Sequence, residues 1–162
     1  MPGMLNRTPE TILVVDDEEA LLRTVVEILE RASFRVLSAH SGAAAIELAE
    51  ESNQTIDLLL SDVDLTPMSG PDLGQLLKKK RPGLHVMLMS GGNGGNLLVL
   101  NYGWAYIQKP SVSTKLVEMI TDVLHSSDRS QLGGQEFDSR KDTRNPNYDK
   151  SKEADAHPLD ND

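Results

Sequence analysis

The sequence predicts an α/β fold, a doubly wound parallel sheet with helices on both faces, and three observations carry that prediction. Short unbroken apolar runs at residues 11–15, 58–60 and 86–89 read as strands buried on both sides, which is how parallel strands look. Segments with apolar residues at three-and-four spacing alternate with those runs, the period of a helix. Two of the runs end on carboxylates, Asp16-Asp17 and Asp62. In open α/β sheets ligands sit beyond the carboxyl ends of the strands, so chemistry is expected at those acids.

Taken in order, residues 11–15 (Thr-Ile-Leu-Val-Val) are β-branched and apolar, and the acids 16–19 that follow suit the start of a helix. Leu21, Leu22, Val25, Ile28, Leu29 and Ala32 then share one helical face. Residues 34–38 form a second strand. Ser41 caps a helix whose stripe is Ala45, Ile46, Leu48 and Ala49. The third strand, 56–61, runs into Asp62, and the turn-rich residues 66–71 lead to a helix marked by Leu73, Leu76 and Leu77 that stops before Pro82. A fourth strand, 84–89, ends at Ser90. Four glycines between Gly91 and Gly95 cost a helix too much backbone entropy and predict a loop, with a short helix over 97–101 after it. Residues 105–108 are the fifth strand, ending at Lys109-Pro110. A last helix runs from 111 or 112 to about His125, with Leu116, Val117, Ile120, Val123 and Leu124 inward. The organisation expected is an N-terminal arm at 1–9, one domain at 10–125 and a disordered polar tail at 126–162, where apolar residues are few and without period. Alternation of five strands with helices gives (βα)5, and the right-handed crossover rule leaves the flavodoxin-like strand order 2-1-3-4-5.

The bulk numbers exclude several functions. The formal net charge of −9 argues against a nucleic-acid surface. The one basic cluster, Lys78-Lys79-Lys80-Arg81, falls at a helix end, where cations complement the dipole. With no cysteine there is no disulfide, thiolate metal site or Cys nucleophile. No apolar stretch approaches the ~18 residues of a membrane span, and residues 1–10 lack a signal-peptide core, so a cytoplasmic protein without membrane contact is expected.

In the order 2-1-3-4-5, Asp16, Asp17, Asp62, Ser90 and Lys109 converge on one rim. Three close carboxylates repel one another, and a divalent cation with all-oxygen ligation, Mg²⁺, resolves the conflict. A carboxylate beside it is a competent nucleophile toward phosphorus, forming an aspartyl phosphate. Lys109 supplies a point charge for the phosphoryl oxygens and Ser90 a hydroxyl to bond one of them.

This ordered set resembles the receiver domain of bacterial two-component response regulators, the CheY-like family, over residues 10–125. The resemblance implies a single-domain response regulator with Asp62 as phosphoacceptor from a histidine kinase or phosphotransfer protein. It implies Asp16 and Asp17 as the acidic pair, Asp17 as direct metal ligand, and Asp64 as donor of a backbone carbonyl to Mg²⁺. Ser90 would be the switch hydroxyl, Lys109 the phosphate partner, and Tyr106 the aromatic that follows the switch. The product would be a conformational state read by a protein partner without direct DNA binding, and the only catalysis would be self-phosphorylation from phosphodonors and slow self-dephosphorylation. The chain departs from the family's pattern at Thr66, where proline is usual, at Asp64, an added carboxylate, and between Ser90 and Lys109, whose 19-residue separation is short.

Two other readings stay open. Asp62-Val63-Asp64-Leu65-Thr66 resembles the nucleophile motif of haloacid dehalogenase-type phosphohydrolases, with Asp64 as acid/base. That motif lies on the third strand here, and no acid pair follows Lys109 before the tail. The other reading is a receiver-like interaction module that works without phosphorylation, indifferent to Asp62→Ala.

Overall fold

The structure is a computed structural model that describes residues 7–91, 102–109 and 112–132. Its strands are β1 (Thr11–Val15), β2 (Arg35–Ala39), β3 (Leu58–Asp62), β4 (His85–Ser90) and β5 (Ala105–Gln108). The helices among the described residues are α1 (Glu19–Arg31), α2 (Gly42–Glu51), α3 (Gly70–Lys80) and α4 (Val112–Leu132). All strand pairs are parallel, in the order β2-β1-β3-β4-β5.

Strand alternation builds two cores. Ile12, Val14, Leu58, Leu60, Met87, Met89 and Ile107 point to the face covered by α1 and α4 through Leu22, Val25, Leu29, Leu116 and Ile120. Leu13, Val15, Leu59, Val86 and Leu88 point the other way, onto Ala45 and Ala49 of α2 and Leu73 and Leu77 of α3. A period of two sends successive side chains to opposite faces, so a strand covered on both sides must be apolar throughout. The edge strand β2 carries exposed Arg35 and Ser38, as an unburied rim requires.

Local chemistry sets the helix ends. Ser41 accepts the Ala44 N–H at 3.1 Å and Ser69 accepts that of Asp72 at 3.2 Å, each supplying an acceptor to a donor that the helix start leaves unpaired. The predicted end of the last helix at His125 falls short of the observed one, since α4 continues to Leu132. Residues 126–132 contain no glycine or proline, so extending the formed helix through them meets no backbone penalty. The expected disordered remainder of the tail, and the short helix at 97–101, lie outside the described residues.

The basic cluster has a tertiary role beyond the dipole. The Arg81 guanidinium donates to the carbonyls of Ala49 (2.6 Å), Gln54 (3.3 Å) and Ser52 (3.4 Å), fastening the end of α3 to the end of α2. Lys80 pairs with Glu50 of α2, and Lys78 donates to the Leu84 carbonyl at 2.8 Å.

Candidate functional site

Register assembles the site. Val15 pairs with Ser61, so Asp16 and Asp62 stand abreast at the next step. Asp62 pairs with Met89, which brings Ser90 one residue beyond it on the neighbouring strand. Ser90 pairs with Gln108, leaving Lys109 just past the end of β5. Parallel strands all deliver their carboxyl ends to one edge, so these four residues share it.

Within the site the Lys109 ammonium is 3.1 Å from Asp62 Oδ2, a hydrogen bond, and 3.3 Å from Asp16 Oδ2. Asp16 is fully buried and Asp62 nearly so, and Ser90 is buried at the end of β4. Asp16 Oδ1 accepts the Glu18 N–H at 2.8 Å, whereas its Oδ2 is buried and receives no hydrogen bond. Burial pushes the Asp16 carboxyl above its ordinary range; the Glu18 N–H opposes this, Asp62 adds repulsion, and Lys109 offsets part of the rise. For Lys109 burial disfavours the ammonium, but the Asp62 hydrogen bond and both carboxylate charges outweigh it and raise the group above its usual value.

Asp17 is exposed, yet Asp16, Asp17 and Asp62 each place a carboxylate oxygen within 4.8 Å of the others. Three carboxylates against one ammonium leave an excess of two negative charges. A buried oxygen whose one cationic neighbour, Lys109, is shared with Asp62, within an all-oxygen set of that charge, fits a hard divalent cation. Asp64 is exposed, and its N–H donates to Asp62 Oδ1 at 3.2 Å. Tyr106 is partly buried on β5, opposite Leu88.

Two features went unread in the sequence. A Cβ on Gly70 would stand 2.0 Å from the Asp62 carbonyl oxygen, so no other residue fits there without displacing the end of β3. The only sequence signal was a glycine between a capping serine and a proline, where helix propensity prefers almost any other residue. The second is Met68, whose thioether leans on α2 at Gly42 and ties the loop after Asp62 to the opposite helix.

The class of protein that this fold and rim define is confirmed by comparison. The model of the response regulator receiver domain matches residues 12–121, and the chain belongs to that family. It is 34% identical over 122 residues to the transcriptional regulatory protein CpxR of Escherichia coli strain K12, covering 74% of this chain and 51% of that protein. It is 29% identical over 121 residues to the sensor kinase CckA of Brucella abortus, covering 73% of this chain and 13% of that protein. The chain thus spans about half of one of these relatives and a small part of the other. Among solved structures, a CheY-like receiver domain protein of Methanospirillum hungatei superposes with a TM-score of 0.67 at 30% identity, over 76% of this chain and 99% of that one. The receiver domain of the hybrid histidine kinase CckA superposes with a TM-score of 0.57 at 33% identity, over 70% of this chain and 98% of that one. Receiver domains accept phosphoryl groups, generally use Mg²⁺ and interact with histidine kinases. Among the described residues no helix is long and apolar enough to cross a membrane.

Proposed function

We propose that this chain is a cytoplasmic phospho-signalling receiver in which Asp62 takes a phosphoryl group from a phosphohistidine and the resulting state is read by a protein partner. The observation that carries the reading is the single ammonium of Lys109 held against Asp62 and Asp16 on a rim with two surplus negative charges. In the transfer an Asp62 oxygen forms its bond to phosphorus as the donor's N–P bond breaks, and the imidazole nitrogen keeps the electron pair. Lys109 already lies on Asp62, where it neutralises charge on the arriving phosphoryl oxygens. The Asp64 N–H and Lys109 together fix the carboxylate's orientation. Ser90 stands at the end of the adjacent strand, placed to donate to a phosphoryl oxygen, and Tyr106 follows its movement from β5. Asp16, Asp17 and Asp62, with the Asp64 carbonyl, are the residues that would hold Mg²⁺. Bound there, the cation supplies the remaining neutralisation of phosphoryl charge.

Family membership favours this role over a phosphohydrolase reading of the Asp62–Asp64 motif. The test is incubation with acetyl phosphate and Mg²⁺, followed by intact mass, with Asp62→Ala as control. A phosphate-sized gain that needs the metal and vanishes in the variant is expected. No gain in the native chain, even with beryllofluoride as phosphoryl mimic, would leave the phosphorylation-independent module standing instead.

A further inference from the structure

At the edge of the sheet opposite the acidic rim, the residues before β5 build a second surface. Trp104 lies over Gly74 of α3, where a Cβ would stand 3.0 Å from the indole Cη2 and Cζ3 atoms. Glycine there leaves room for the indole against the helix. Tyr102 stacks on Trp104 with ring centroids 4.6 Å apart and an interplanar angle of 17°. Lys78, His85, Trp104, Val123 and Ser126 line an open groove of about 490 Å³, within the size range of ligand clefts, and Gln75 and Lys79 extend it across α3. Among the described residues no carboxylate lines either part. Lys79 is exposed and has no acidic partner among the described residues. The groove therefore has an aromatic floor and a cationic edge, the chemistry that takes an acidic peptide with an apolar side chain.

We infer that this groove is the docking site for residues 153–162 of the same chain. Charge selects the segment. Glu153, Asp155, Asp160 and Asp162 stand there with no Lys or Arg and with Leu159 among them, whereas residues 133–152 carry five Lys/Arg against four Asp/Glu. Chain geometry permits the contact. Ser126 of α4 is on the groove, and α4 ends at Leu132, about 9 Å further along at a helical rise of 1.5 Å per residue. The twenty residues that intervene span roughly 25 Å as a random coil and at most about 70 Å fully extended. Tethering at such a distance gives an effective concentration on the order of millimolar, so a weak charge-and-apolar contact is enough to populate the docked state. This docking is independent of the chemistry proposed for Asp62.

The test uses the full chain, which has no native cysteine, so Asn161→Cys gives a unique position for a nitroxide label. The single tryptophan provides one indole N–H signal by NMR. Expected in dilute solution is a selective loss of intensity at the Trp104 indole and at the amides of Gln75, Lys78 and Lys79. The loss should be relieved by high salt and by Lys79→Glu, and regained when Lys79→Glu is combined with Asp155→Lys and Asp160→Lys. An even or absent loss, or one that Lys79→Glu leaves unchanged, overturns the proposal. So does an equal loss when the label is carried by separate, isotopically silent copies, which would assign the groove to a second molecule.

Discussion

Gly70 and Asp62 are in contact through the backbone: the place of a Gly70 side chain is 2.0 Å from the Asp62 carbonyl oxygen and 3.0 Å from Ser61 Oγ. The Gly70 N–H donates to Val63 O at 3.0 Å, and the Ser61 hydroxyl donates to Asp62 O at 3.0 Å. The start of α3 is thus pressed onto the strand end that aims the central carboxylate. Gly70→Ala must push α3 away or bend β3, an overpacking cost of about 1–3 kcal/mol. Urea denaturation should show that loss, and phosphorylation by acetyl phosphate should slow because Asp62 moves relative to Lys109. Unchanged stability in Gly70→Ala would mean that the loop absorbs the methyl and that Gly70 does not position Asp62.

Asp16 is the opposite case, a residue whose charge opposes folding. Its carboxyl is raised above 3.8, so the folded chain holds that proton more tightly than the unfolded chain does. The folded state binding more protons makes stability fall as pH rises from the ordinary carboxylate value through the raised one. Asn at this position keeps an oxygen for the Glu18 N–H and removes the charge. Without metal, Asp16→Asn should stabilise the fold at neutral pH by about 1–2 kcal/mol, with a gain that shrinks as pH falls through that window. Metal-dependent phosphorylation should drop in the same variant. Thermal melts at several pH values check the sign; a gain that grows in acid would contradict it.

Arg81 tests the tertiary role of the basic cluster. Its guanidinium satisfies carbonyls of Ala49, Ser52 and Gln54 that the end of α2 leaves open. Arg81→Ala should cost about 1.5–3 kcal/mol in denaturant unfolding, the range for a hydrogen bond from a charged group. Arg81→Lys should recover little of it, because a point charge cannot serve diverging acceptors as a planar fork does. Full recovery by lysine would reduce the residue to a dipole partner.

These residues also show where sequence reading worked. The convergence of Asp16, Asp62 and Lys109 was legible because unbroken apolar runs mark parallel strands. Such strands present their carboxyl ends together, and order 2-1-3-4-5 makes the relevant strands neighbours. β5, Ala105–Gln108, has the expected bounds for the same reason. The Gly70 contact was not legible, since an approach so close that a Cβ would stand 2.0 Å from the Asp62 carbonyl oxygen depends on how α3 docks. The bonds from Arg81 were hidden likewise, because its acceptors lie at and just past the end of another helix, up to 32 residues away. A dipole argument sees only the helix that carries the charge. The overrun of α4 beyond His125 escaped a method that follows apolar period, because extending a formed helix needs no buried face.

Asp64 separates the two phosphoryl chemistries that the motif on β3 allows. Its backbone N–H donates to Asp62 Oδ1, while its side chain is exposed. A receiver needs the backbone of this residue; a phosphohydrolase of the dehalogenase type needs its carboxylate to move a proton. Asparagine preserves the backbone and removes the proton-transferring group. Asp64→Asn should therefore still gain a phosphate on Asp62 from acetyl phosphate, at a rate within about tenfold of the native chain, because an exposed charge beside the site acts only through screened repulsion. Near-total loss of turnover on a phosphate monoester that the native chain hydrolyses, by the ~10²–10⁴-fold that general acid/base catalysis supplies, would assign the carboxylate a chemical role instead. Retained phosphorylation in Asp64→Asn, lost in Asp62→Ala, places the chemistry on Asp62 and leaves Asp64 as the residue that orients it through its N–H.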